Sequence, residues 1–144
     1  MRKVLIALPV LLIVSCQAPR KEGPPAVQYG RAECARCGMI VNEQRFASGY
    51  ISEQGQNVVF DDMGEFFKDI RPAVDNYPRL YVQDMYGGGW VRATNAFYVR
   101  APGLATPMGS GVVAFKDKEK AAQFAAGRNV KEVYDFESAL KAFD

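Results

Sequence analysis

Gly55-Gln56-Asn57-Val58-Val59-Phe60-Asp61-Asp62 is the stretch that decides the fold. A turn at Gln54 to Asn57 leads into a short apolar run, as the returning strand of a hairpin does. The outgoing strand is the loosely alternating Phe46 to Ser52. Asp61 or Asp62 then stands where a helix N-cap belongs, and Phe66, Phe67 and Ile70 fall on one helical face. Arg71-Pro72 ends that helix, because a residue before proline avoids the α region. The same succession returns as Gly109-Ser110-Gly111-Val112-Val113-Ala114-Phe115-Lys116-Asp117, about 54 residues on, which is room for a strand-strand-helix-strand unit used twice. Hairpin followed by helix is also a common α+β pattern, so duplication stays open at this level.

Working outward, Leu80-Tyr81-Val82, Trp90-Val91 and Phe97-Tyr98-Val99 read as strands, with Gly87, Gly88 and Gly89 turning the chain. Leu104 to Gly111 is a loop. Asp117 caps a helix through Ala126 that Gly127 closes, Val130 to Tyr134 is a last strand, and Asp135 starts a helix to Phe143. Strand runs followed by short helices, without regular β-α-β alternation, predict an α+β fold with mainly antiparallel sheet. The expected modules are about 29–76 and 77–144.

The start of the chain reads differently. Arg2 and Lys3 precede an apolar run, Val4 to Val14, that is short for a membrane span and reads as an export signal over residues 1–15. Ile13-Val14-Ser15-Cys16 resembles a bacterial lipobox, which makes Cys16 the lipidated first mature residue. Several acyl chains on one residue anchor firmly, since each buried CH₂ adds about 0.8 kcal/mol. Gln17 resembles the sorting pattern for an outer membrane, facing the periplasm, in bacteria with two membranes. Residues 16–28, with Pro19, Pro24 and Pro25, form a polar tether.

The chain of 144 residues carries 18 Lys and Arg against 16 Asp and Glu. Arg2 and Lys3 leave with the signal, so the mature chain is near neutral and nucleic acid is an unsuitable partner. There is no histidine. That excludes Ser-His-Asp and Cys-His catalysis and removes the commonest transition-metal ligand.

Chemistry concentrates in Cys34-Ala35-Arg36-Cys37-Gly38-Met39. Thiols at this spacing can grip one ion, Gly38 can take positive φ, and thiolate with thioether favours monovalent copper. A periplasmic disulfide and half of a zinc site are the alternatives; zinc would need carboxylates such as Asp61, Asp62 or Asp84. A thioredoxin-like enzyme would place C-x-x-C at the start of a long helix, and Gly38-Met39-Ile40-Val41-Asn42 is poor helix material. Among the methionines, Met63 reads as core. Met85 leans structural, while Met108, flanked by Pro107 and Gly109-Ser110-Gly111, reads as a loop ligand.

Taken in order, Cys34-x-x-Cys37-Gly38-Met39 after a lipobox, Phe60-Asp61-Asp62-Met63, Tyr81-Val82-x-Asp84-Met85, Trp90-Val91, Ala96-Phe97-Tyr98-Val99 and Pro107-Met108-Gly109 resemble the NosL family of copper-binding lipoproteins. The resemblance implies strand-strand-helix-strand modules like those of the C-terminal part of organomercurial lyase. It implies a membrane-anchored Cu(I) chaperone, without catalysis, serving the copper-sulfide centre of nitrous oxide reductase or another extracytoplasmic cuproenzyme. A copper exporter would be its donor. Carried over by position, Cys37 and Met108 are the first ligands and Cys34 and Met39 the next, with Met85, Asp61 and Asp84 as possible additions. Relatives often carry a histidine near the cysteines where this chain has Ala35 and Arg36. A thiol-disulfide or organomercurial-type enzyme using Cys34 and Cys37 is the alternative from another class.

Overall fold

The computed structural model describes residues 23–77 and 79–143. The expected signal sequence, Cys16 and the beginning of the tether lie outside them. Among the described residues, the architecture is α+β, with three α-helices and two antiparallel sheets. Strands β1 (Ser48–Ile51) and β2 (Asn57–Phe60) form the expected hairpin, and α1 (Met63–Ile70) follows Asp61-Asp62. Strands β3 (Leu80–Gln83) and β4 (Trp90–Arg92) complete a sheet in the order β2-β1-β3-β4. Both lie beyond residue 76, so the first sheet continues past the module boundary read from the sequence. Strands β5 (Phe97–Arg100) and β6 (Val112–Phe115) form the second sheet, followed by α2 (Lys118–Ala126) and α3 (Phe136–Ala142).

The two units share a topology. In the first, β1 is central, paired antiparallel with β2 and with β3. In the second, β5 pairs with β6 and meets Tyr134 through an isolated antiparallel bridge at Tyr98. The strand expected over Val130 to Tyr134 shrinks to that bridge. Lys131 and Glu132 are solvated, and Val130 and Val133 pack on the α2 side of the sheet, so a longer ladder would have little to bury. Each helix takes an aspartate cap: Asp62 for α1, Asp117 for α2 and Asp135 for α3. Asp62 rather than Asp61 caps α1, which leaves Asp61 for other work.

Burial explains why β6 reads as an unbroken apolar run. Val112 and Ala114 join the main core, while Val113 and Phe115 face a second cluster under α2. A strand covered on both faces has no solvent side to mark with polar residues. The main core crosses both units: Phe66 of α1 packs edge-on to Phe67, and Phe67 meets Tyr98 of β5, edge-on at 5.2 Å between centroids, and Phe143 after α3. Edge-to-face packing of this kind adds about 0.5–1.5 kcal/mol per pair beyond area burial. The two units are therefore locked by one core.

Two features depart from the sequence reading. The end of the tether is docked: Pro25 is buried against Gly49 of β1, and the Ala26 N–H donates to Asn57 Oδ1 at 3.0 Å. Gly49 makes this possible, since a Cβ there would also sit 2.2 Å from the Val58 carbonyl oxygen. Asp84 joins the sheets. Its Oδ2 accepts from the N–H groups of Tyr86 (3.1 Å) and Gly88 (3.0 Å), and its Oδ1 accepts from Lys116 N–H (2.9 Å).

Candidate metal centre

The cysteine turn is built by its own backbone. Cys34 N–H donates to the Met39 carbonyl at 2.8 Å, and Gly38 N–H returns to the Cys34 carbonyl at 3.0 Å. Gly38 closes the turn at φ 75°, as its lack of a Cβ allows. Ala35 N–H donates to the Val59 carbonyl at 2.8 Å, which pins the turn to the end of β2. Asp61 is the second residue beyond that anchor, and this brings it to the thiols.

The ligand atoms of Cys34, Cys37 and Asp61 all lie within 4.8 Å of one another. Cys34 is buried and Cys37 half-buried, and both are free thiols. The Cys37 thiol donates to Asp61 Oδ1 at 3.5 Å. Asp61 is 2% exposed, and its Oδ2 is buried without a hydrogen-bond partner. A carboxylate oxygen in that state carries an uncompensated desolvation cost, which a cation would relieve. Burial pushes the Cys34 thiol up to about 11. The backbone amides of Cys37, Asp61 and Arg36 oppose that rise by favouring the thiolate, and the Asp61 side chain adds to it. A cation bound beside the thiol favours the ionised form again.

A second segment is tied to the residue that follows Asp61. Asp62 caps α1 by accepting from Gly64 N–H at 2.7 Å with Oδ1. Its Oδ2 accepts from Thr106 Oγ1 at 2.6 Å and from Met108 N–H at 3.0 Å. Burial alone would raise this carboxyl. The hydrogen bonds from Ser110, Thr106, Met108 and Gly64 outweigh it and hold the group below its ordinary value. Ser110 sits so close to Gly64 that an added Cβ there would lie 2.5 Å from the Ser110 Cβ. On the neighbouring position of α1, Glu65 receives Arg36 of the cysteine turn at 3.1 Å. Lys68 pairs with the same carboxylate at 2.9 Å. Both sulfur-bearing segments thus abut the first turn of one helix.

Of the residues singled out in the sequence, Cys34, Cys37 and Asp61 are brought together. Met39 and Met108 are unusually open for methionine, at 51% and 44% exposed. Met39 follows Gly38 at the mouth of the cysteine turn, and the Met108 backbone is tied to Asp62. Asp84 lies outside the group formed with the thiols, and both its oxygens are committed to backbone amides. Met85 packs on the second core and lines an open cleft of about 430 Å³ with Glu43, Gln44, Arg45, Asp84 and Gly87. Sequence reasoning missed Thr106, Ser110, Glu65 and the distinct use of Asp62. A trace existed in the doubled aspartate, because one N-cap position needs only one of them.

The turn is followed by an extended segment, not by a helix, so the thiols lack the helix N-terminus that activates a thioredoxin-type pair. Two thiols and a carboxylate form a soft donor pair with one hard member, suited to a thiophilic cation. No curated protein matches the sequence. The fold is shared with the crystal structure of the copper chaperone NosL from Shewanella denitrificans, at TM-score 0.67 and 21% identity, over 83% of this chain and 96% of that one. The NosL family model matches residues 26–141, nearly all of the described body, and the chain belongs to the NosL family.

Proposed function

We propose that the protein is a membrane-anchored metallochaperone that binds Cu(I) through Cys34 and Cys37. Asp61, which lies beside both thiols, and the exposed Met108 and Met39 thioethers would complete the shell. It then passes the ion to an extracytoplasmic cuproenzyme, with the copper-sulfide centre of nitrous oxide reductase as the first client. The observation that carries the reading is the convergence of two thiols and a buried carboxylate with an unpartnered oxygen within 4.8 Å. Monovalent copper accepts two or three soft ligands, so the pair of sulfurs suffices to hold it. Half-exposure of Cys37 leaves a side from which an acceptor's ligand can enter, as transfer by ligand exchange requires. A lipid on Cys16 would raise the local concentration near a membrane-bound copper exporter. The protein then works by binding and release, without turnover of a substrate.

Anaerobic titration with Cu(I) against a competing chelator tests the reading. A one-to-one complex that is lost in Cys37→Ser and weakened in Asp61→Asn supports it. Zn²⁺ is the control, because the Asp61 carboxylate also suits a borderline divalent ion. Tighter binding of Zn²⁺ than of Cu(I), or turnover of a disulfide or mercurial by the thiol pair, would overturn it.

A further inference from the structure

We infer that Asp62 is a positioning residue for the metal, its carboxylate clipping the Met108 loop to the helix that flanks the thiols. This rests on the reading of Met108 as a thioether ligand. Met108 is 44% exposed, so packing does little to fix its place, and its backbone must do so. That backbone is held through its N–H to Asp62 Oδ2 at 3.0 Å. Thr106 Oγ1 shares the same oxygen at 2.6 Å and itself accepts from Gly111 N–H at 3.2 Å. Gly109 N–H closes the turn onto the Thr106 carbonyl at 2.9 Å, with Gly109 at φ 72°. The loop is thus organised around one threonine and one carboxylate.

The site demands a carboxylate and not merely an N-cap. Asp62 faces N–H donors at both oxygens, Gly64 on Oδ1 and Met108 on Oδ2. Asparagine offers a single acceptor oxygen and places an NH₂ at the other position. Asp62→Asn can therefore keep the helix cap while turning an N–H toward the Met108 N–H. The neighbouring residue, Asp61, faces the Cys37 thiol. One dipeptide accordingly ties together the carboxylate beside the thiols and the loop that carries the third sulfur.

The test is a double-mutant cycle in Cu(I) affinity, read by chelator competition, with amide hydrogen exchange at Met108 as a separate probe. Asp62→Asn should weaken Cu(I) binding by about 10-fold, the low end for residues that hold a ligand in place. It should also speed exchange of the Met108 amide, and add nothing in a Met108→Leu background. Thr106→Val should act in the same direction with no change of charge, and serves if Asp62→Asn folds poorly. Equal weakening by Asp62→Asn in both backgrounds would mean a charge effect and overturn the inference, as would an unchanged Met108 amide. If Met108→Leu alone leaves Cu(I) affinity intact, the ligand reading fails and the metal role of the clip falls with it, while amide exchange still reports whether the clip exists.

Discussion

Replacing Gly64 with alanine sets a helix preference against a packing contact. Gly64 lies in the first turn of α1, so alanine should add up to about 1 kcal/mol of helix propensity. The new Cβ would meet Ser110 Cβ at 2.5 Å and Asp62 Oδ1 at 3.1 Å. Carbon atoms rest about 3.5–4.0 Å apart, so the Met108 loop must retreat by about 1 Å. Overpacking of this kind costs about 1–3 kcal/mol. The retreat also stretches the Thr106 and Met108 bonds to the Asp62 carboxylate, and hydrogen bonds to charged groups contribute about 1.5–3 kcal/mol each when intact. With the middle of the packing range, partial weakening of those bonds and the propensity gain set against them, the net loss is about 2 kcal/mol. For a domain of this size that lowers Tm by about 8 °C. Thermal and urea unfolding of Gly64→Ala, Ser110→Gly and the double variant measure it. Ser110→Gly removes the opposing Cβ and gives up both the bond from Val112 N–H to Ser110 Oγ at 3.1 Å and the hydroxyl's bond to Asp62, a loss of about 2 kcal/mol. The double variant should then be more stable than the two single effects predict, by about 1 kcal/mol or more. A Gly64→Ala protein melting at or above the wild-type temperature would refute the close seat of the loop on the helix.

Three further outcomes follow from the same contacts. Asp84→Ala strips three backbone N–H groups of their acceptor and should cost about 3 kcal/mol or more, yet retain one Cu(I) per chain below its lowered Tm; loss of copper from the folded variant would make Asp84 a ligand. Cys34 titrates at about 11 in the folded protein against an ordinary 9.0, so the unfolded chain ionises first as pH rises. Its contribution is full below the unfolded value and is lost toward the folded one, and urea midpoints between about pH 8 and 11 should fall more steeply in wild type than in Cys34→Ala. Arg36→Gln breaks a partly exposed ion pair and should change stability by no more than about 1 kcal/mol, while alkylation of Cys37 accelerates. An unchanged alkylation rate would show that the backbone bonds alone hold the turn.

The α+β class, the hairpin around Gly55, the aspartate caps and the buried face of α1 were legible because each depends on residues a few positions apart. Turn chemistry, capping and helical periodicity act over that range, so the residues state them directly. The Gly38 turn was readable for the same reason. The missing strand at Val130 to Tyr134 shows the limit: local pattern suggested a ladder, but Val130 and Val133 found a better surface under α2.

The site divides in the same way. Local spacing already marked Cys34 and Cys37 as a pair, and the short flanking glycines marked Met108 as an open loop residue. Folding alone chose which aspartate would face the thiols, which would clip the methionine loop, and that Asp84 would serve the join between sheets. Those contacts link residues 24, 46 and 32 positions apart, and they exist only because strand register and the shared core bring the segments side by side. Adjacent aspartates have identical chemistry, and only their surroundings in three dimensions give them different partners.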